Sequence, residues 1–117
     1  MIANSLIVMI ALLQIYIMIL QMAFWTKPAG RKAFGLKPDF ATASKTLAAN
    51  QGLYNGFLAA GLIFSLLYES ADRHVAIFFL TCVFVAGIFG GLTAHRKILV
   101  IQAAPALVAI LAVFAGL

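Results

Sequence analysis

The chain has 117 residues, of which 65% are hydrophobic and only 9% are charged. A water-soluble domain of this length needs many more polar residues to cover its surface, so the composition excludes an ordinary soluble domain. The net charge of +5 fits basic loops beside anionic lipid headgroups and requires no nucleic-acid partner. The length fits a single small domain over residues 1–117.

The charged residues are bunched, and they leave four uncharged runs of about 20 residues or more. At ~1.5 Å per residue, such a run crosses ~30 Å of hydrocarbon as a helix. The runs do not alternate apolar and polar residues, as a transmembrane barrel requires. The sequence therefore predicts an all-α integral membrane protein, a four-helix bundle with up-down antiparallel topology. The predicted helices cover residues 2–25, 46–68, 75–94 and 98–117, and a long loop covers residues 26–45.

Loop charge predicts the orientation. The loop over residues 26–45 has a net charge of +4, the second loop, with Glu69, Asp72 and Arg73, has −1, and the third, with Arg96 and Lys97, has +2. Because positive loops stay on the cytoplasmic side, loops 1 and 3 are expected in the cytoplasm. The protein is then a multi-pass protein of the cell membrane with both termini outside. The aromatic and basic residues of loop 1 are typical of an interfacial anchor, and the alternative is a lid over a cytoplasm-facing cleft.

Small residues recur at helical spacing in the predicted second and third helices. The second helix carries Ala48, Gly52, Gly56 and Ala60 at intervals of four, and the third has the same spacing between Gly87 and Gly91. Small residues allow close backbone approach between membrane helices. We expect these two helices to pack on each other or on a neighbouring subunit, in a homo-oligomer whose other partner is the membrane lipid.

Carboxamides are the unusual feature of the predicted spans, because an unpaired amide is costly in hydrocarbon. The amides considered are Gln14 and Gln21 in the first span, Asn50, Gln51 and Asn55 in the second, beside Tyr54, and Gln102 in the fourth. We expect the amides to face inward, away from lipid. One interpretation is interhelical hydrogen bonding. The other is a polar pocket open to the cytoplasm, lined by the residues from Asn50 to Asn55 and roofed by loop 1.

The spans contain no Asp, Glu, Lys, Arg or His. A proton-coupled antiporter needs an ionisable group within the membrane, so that function is disfavoured. His74 and His95 lie at opposite ends of the predicted third helix and do not form a shared metal site. The sequence assigns no catalytic residue and no metal ligand.

The stretch "KTLAANQGLYNGFLAAGL" (45–62), preceded by "FWTKPAGRKAFGL", resembles a family of small bacterial membrane proteins, DUF1304. The stretch "RKAFGLKP", followed by a helix bearing an Asn, is also similar to the MAPEG superfamily. That likeness implies four-helix subunits, a trimer, and glutathione bound at subunit interfaces near the cytoplasm. Asn50 matches the superfamily's Asn, whereas Thr46 and Leu53 stand where it has Arg and Glu. Arg96 would supply the cation that activates a thiol.

Three functions remain open. The first is a small or lipophilic anionic ligand bound in a cytoplasm-facing intersubunit cleft, with transferase activity as one form. Cations would hold the anion while amides orient it. The second is a non-catalytic scaffold or stress-envelope protein, and the third is a transporter or channel component. The ligand-binding hypothesis uses Asn50, Gln51, Tyr54, Asn55, Arg31, Lys32, Arg96, Gln14 and Gln21.

Overall fold

A computed structural model of the protein describes residues 1–68 and 73–117, so Glu69 and Asp72 of the predicted second loop lie outside the described residues. All regular elements in these two ranges are helical, which confirms the predicted all-α class. The elements are α1 (Ile2–Ala23), α2 (Pro28–Phe34), α3 (Pro38–Ala43), α4 (Lys45–Leu67), α5 (His74–Thr93), a π-helical turn (Leu99–Ala103) and α6 (Ala104–Phe114).

Within the described ranges, two helices are long and apolar enough to cross a membrane. They are α1, with a mean hydropathy of 2.4, and α5, with 2.5. The last apolar segment, Leu99–Phe114, is shorter than these two. The 23 residues of α4 give it sufficient length, but Asn50, Gln51 and Asn55 make it less apolar than α1 and α5.

The connection between α1 and α4 contains two short helices where the sequence predicted a loop. Pro28 begins α2 and Pro38 begins α3, because the fixed φ of proline suits a first helical position and its missing N–H is not needed there. Gly35 ends α2 with a φ of +65°, a left-handed conformation that favours glycine. The two prolines therefore mark helix starts, and Gly35 marks a helix stop.

The chain divides into two compact units. Unit 1 comprises residues 1–12 and 58–117, and unit 2 comprises residues 13–57. Unit 1 has a continuous apolar core to which α1, α4, α5 and α6 all contribute. Its largest fully buried side chains are Ile7, Leu62, Leu80 and Val83.

The glycines of α5 lie against the final helical segment. A Cβ atom on Gly87 would be 2.6 Å from the backbone nitrogen of Ala103, and one on Gly91 would overlap Leu99. The stripe of α5 therefore mediates close packing, and at Gly87 and Gly91 its partner is the final helical segment. In unit 1, α4 meets α5 at Gly61, which lies against the ring of Phe79.

The π-helical turn precedes Pro105. The backbone N–H of Ala104 donates to the carbonyl of Leu99, five residues earlier, as in a π-helix. Pro105 has no N–H to donate to the carbonyl of Ile101, so regular α-helical bonding is interrupted at this point. The interruption brings Ala103 and Ala106 into the interior, and both are buried.

Candidate functional site

A hydrogen bond between two carboxamides joins α1 to α4 in unit 2. The Asn55 Nδ2 donates to the Gln21 Oε1 at 2.6 Å, and both residues are half-buried. A bond of this kind between membrane helices contributes roughly 0.6 kcal/mol, with values up to about 2. The structure thus brings together two of the predicted site residues, one from each helix.

Glycines on α4 allow this approach. A Cβ on Gly52 would be 2.6 Å from the Cγ of Met22 and 3.1 Å from the backbone oxygen of Met18. One turn further along α4, a Cβ on Gly56 would be 2.7 Å from the Sδ of Met18. The predicted small-residue stripe therefore does mediate close packing, but its partner at these two positions is α1.

Asn50, Gln51 and Tyr54 lie on a different face of α4. Asn50 and Gln51 are exposed on the single chain, and Tyr54 is 54% exposed with its ring edge-on to Phe57 at 5.9 Å. Within one chain, the expectation that every amide faces inward is therefore wrong for Asn50 and Gln51. Gln51 is one turn before Asn55 and lies about 40° further around α4, away from the face on which Gly52 and Gly56 contact α1.

Gln14 is the most enclosed polar side chain of unit 2. It is 0% exposed, and neither its Nε2 nor its Oε1 has a hydrogen-bond partner among the described residues. Leaving a buried amide unpaired costs about 1–3 kcal/mol. Gln14 faces inward as expected, but it does not share the hydrogen bond that Gln21, two turns later on α1, makes with Asn55.

Trp25 holds the connection between α1 and α4 in a compact arrangement. Its Nε1 donates to the Ser44 Oγ at 3.0 Å, and its ring lies 5.0 Å from that of Phe34 at the end of α2. The Ser44 hydroxyl donates to the carbonyl of Phe40 at 2.7 Å. Gly30 packs so closely on the carbonyl of Phe24 that a side chain has no room there. These contacts fix α2 beside the start of α4.

The two basic candidates of loop 1 both lie on α2. Lys32 is exposed, whereas Arg31 is half-buried and its Nε is buried without a hydrogen-bond acceptor among the described residues. The contacts of Trp25 hold α2 beside the start of α4. Arg31 and Lys32 belong to unit 2, as do the exposed amides Asn50 and Gln51.

Arg96 belongs to unit 1, in the turn after α5. It is exposed and lines a cleft of about 470 Å³ at that end of the helix. The predicted site residues therefore form distinct groups: the pair Gln21–Asn55, the exposed residues Asn50, Gln51 and Tyr54, the basic residues of α2, the enclosed Gln14, and Arg96 in the other unit.

Sequence reasoning missed Met18 and Met22, the α1 residues that oppose the glycines. They are four residues apart and share one helix face with the predicted Gln21, and that periodicity was the available signal. It also missed Asn4, whose Oδ1 accepts a hydrogen bond from the Arg73 Nη2 at 2.6 Å in unit 1. Asn4 is in the first turn of α1 and is not one of the clustered amides of α4.

In the part of the chain that the structure describes, the regular elements are all helical, and two of the helices are long and apolar enough to cross a membrane. The chain belongs to the family described as protein of unknown function DUF1304, whose model matches residues 8–114, and this confirms the predicted family. It is 30% identical over 108 residues to the uncharacterised protein YpaA of Lactococcus lactis, with 91% of each chain covered. No solved structure matches the chain. The matched region contains every candidate site residue.

Proposed function

We propose that the protein is a four-helix integral membrane protein that binds a small or lipophilic anionic ligand in a cytoplasm-facing cleft between subunits. The observation that carries the proposal is the exposure of Asn50 and Gln51 on a helix of mainly apolar residues. In a membrane, such amides need polar partners, because hydrocarbon supplies none.

The four spans of the proposal are α1, α4, α5 and the segment Leu99–Phe114. At ~1.5 Å per residue, the 23 residues of α4 extend about 34 Å, which is enough to cross a bilayer despite its amides. The charges of +4, −1 and +2 on the successive loops favour loops 1 and 3 in the cytoplasm and both termini outside.

A second copy of the chain is the partner that we assign to the exposed face of α4. The stripe of Gly52 and Gly56 is already occupied by α1, so the face carrying Asn50, Gln51 and Tyr54 is available for contact with another subunit. The likeness to the MAPEG superfamily favours a trimer. In such an assembly the amides would face protein and water in a cleft, away from acyl chains.

The ligand class follows from the groups around this face. Arg31 and Lys32 supply positive charge from α2, which Trp25 fixes beside the start of α4. Asn50 lies five residues after Lys45, at a depth of roughly 7–8 Å along the helix. Cations near the membrane surface would bind an anionic group, and the amides just below them would orient it. Glutathione is one anion of this class, and the MAPEG likeness favours testing it.

The test is the thermal unfolding temperature, Tm, of the detergent-solubilised protein with glutathione or an anionic lysolipid added. A ligand that binds only the folded protein raises Tm. We expect the increase to disappear in Asn50→Ala and to persist in Thr81→Ala, which truncates an exposed polar residue on α5. If neither compound raises Tm in the wild-type protein, or if Asn50→Ala responds as the wild type does, the ligand-binding proposal fails.

The hydrogen bond between Gln21 and Asn55 favours the alternative function, a non-catalytic membrane scaffold. A pair that satisfies itself within one chain serves packing and needs no ligand. The scaffold alternative predicts that Asn50 and Gln51 tolerate Leu, with the oligomer intact and no ligand lost. Loss of a bound anion without loss of assembly would exclude it.

A further inference from the structure

A cleft lies at the end of α5 in unit 1, and none of its lining residues belongs to the amide face of unit 2. Its volume is about 470 Å³, which lies within the usual range of small-molecule sites. The lining comprises the last turn of α5, the turn that follows it, and Leu99. Gly91 helps to form it, because any side chain at that position would overlap Leu99.

Two side chains of the cleft offer hydrogen-bond donors. The Nδ1 of His95 accepts a hydrogen bond from the backbone N–H of Lys97 at 3.2 Å. An accepting Nδ1 carries no proton, so the ring proton of the neutral imidazole lies on Nε2. The hydroxyl of Thr93 donates to the carbonyl of Phe89 at 2.7 Å. The side chains that can donate into the cleft are therefore the imidazole of His95 and the guanidinium of Arg96.

Several backbone acceptors nearby are already occupied. The carbonyl of Gly90 accepts from the N–H groups of Ala94 and His95, and the carbonyls of His95 and Arg96 accept from Ile98 and Leu99. These bonds pair the carbonyls of the turn after α5, whereas the carbonyls at the end of the helix itself have to be offset by the positive charge of Arg96 if an anion is to bind. The guanidinium of Arg96 matches a phosphate group, which it binds through two parallel hydrogen bonds.

Two of the lining residues are leucines. Leu92 is 75% exposed, and Leu99 lies against Gly91. A ligand that contacts both the cationic and the apolar residues of the lining carries a phosphate and a hydrocarbon chain. We propose that this cleft binds the phosphodiester headgroup of an anionic phospholipid through Arg96 and His95, with an acyl chain along Leu92. The proposal rests on the membrane location given under the proposed function, but not on the amide face or its ligand.

The test measures the phospholipid retained by protein purified from vesicles of equal parts phosphatidylglycerol and phosphatidylcholine. We expect the wild-type protein to retain phosphatidylglycerol preferentially. Arg96→Gln should lower the retained phosphatidylglycerol about tenfold, equivalent to ~1.4 kcal/mol. The matched control is Lys37→Gln, which removes the same charge from an exposed residue of the other basic connection. Arg96→Lys keeps the charge without the planar fork, and we expect an intermediate loss.

Three results would overturn the proposal. One is equal retention of phosphatidylglycerol by Arg96→Gln and the wild type. Another is an equal loss in Lys37→Gln, since that would reflect only overall charge. The third is displacement of the lipid by millimolar glycerol phosphate, since this would mean that the cleft recognises free phosphate esters without an acyl chain. Alkaline carbonate extraction of each variant tests the membrane location separately, because an integral protein stays in the pellet whatever lipid it binds.

Discussion

The carboxamide of Asn55 donates a hydrogen bond to that of Gln21 at 2.6 Å, so that α4 is joined to α1 through two side chains 34 positions apart. Gly52 and Gly56 flank the contact on α4 and lie against Met18 and Met22. Gly52, Gly56 and Asn55 of α4 therefore act together. The two glycines bring the backbones of α1 and α4 close enough for the side chains of Asn55 and Gln21 to meet.

The losses from the two single replacements of this pair should add up to more than the loss from the double replacement. Asn55→Leu or Gln21→Leu leaves one half-buried amide without its partner, and we expect a loss of about 1–2 kcal/mol in the free energy of unfolding. The double variant leaves neither amide, so its loss should be smaller than the sum of the two single losses. Unfolding in mixed detergent micelles measures all four proteins, and strictly additive losses would contradict a direct interaction.

Two glycine substitutions should differ in cost because they meet different atoms. A Cβ on Gly87 would be 2.6 Å from the backbone nitrogen of Ala103, which cannot move without displacing the helix. A Cβ on Gly56 would be 2.7 Å from the Sδ of Met18, the flexible end of a side chain. Gly87→Ala should therefore destabilise by roughly 1–3 kcal/mol and Gly56→Ala by less. Thermal unfolding in detergent ranks the two, and the reverse order would contradict this packing.

Replacing Gln14 by Leu should stabilise the protein. Gln14 is fully buried and its amide has no hydrogen-bond partner among the described residues, whereas Leu fills a similar volume without polar atoms. We expect a gain of about 1 kcal/mol or more in the free energy of unfolding. Tyr16→Phe is the matched control, because it removes a polar group from an exposed residue two positions along α1. A clear loss of stability in Gln14→Leu would mean that the amide of Gln14 is satisfied.

The sequence predicts much of this fold, because the length and hydropathy of each uncharged run can be read from that run alone. Four uncharged runs predicted the positions of α1, α4, α5 and the last helical segment. The short helices α2 and α3 were not predicted, since helices of seven and six residues depend on contacts such as that of Trp25 with Phe34. The π-helical turn was missed as well, although Pro105 marked the place where regular hydrogen bonding is interrupted.

The candidate site was predicted less well, because spacing along a helix indicates which residues share a face but not what lies opposite. Gln51 and Asn55 are four residues apart and were expected to face the same neighbour. In the structure Asn55 binds Gln21, whereas Gln51, about 40° further around α4 from the glycines that contact α1, is exposed. The direction from which α1 approaches decides this difference, and no local pattern in α4 contains it.

Trp25→Phe tests how firmly the connection between α1 and α4 is held. The substitution removes the donor to the Ser44 Oγ but keeps an aromatic ring near Phe34, so the expected loss is that of one hydrogen bond, about 0.5–1.5 kcal/mol. Ser44→Ala removes the same bond from its other side and also the bond that the Ser44 hydroxyl donates to the carbonyl of Phe40, so its loss should be at least as large. Limited proteolysis within residues 26–44 gives the second measurement. Faster cleavage of both variants is expected, and unchanged cleavage would mean that the hydrogen bond does not restrain this segment.

A bulky residue on the exposed face of α4 should separate the proposed subunits. Gln51→Trp adds a large side chain next to Asn50, where a second copy is proposed to pack, but it leaves the contacts of Gly52 and Asn55 with α1 in place. We expect the wild type to have the mass of an oligomer and Gln51→Trp to approach that of one chain by light scattering in detergent. Thr93→Trp, on an exposed position at the end of α5, should leave the oligomer intact. An oligomer that persists in Gln51→Trp, or a wild type that is already monomeric, would remove the intersubunit cleft, because the exposed amides would then have no second chain to face.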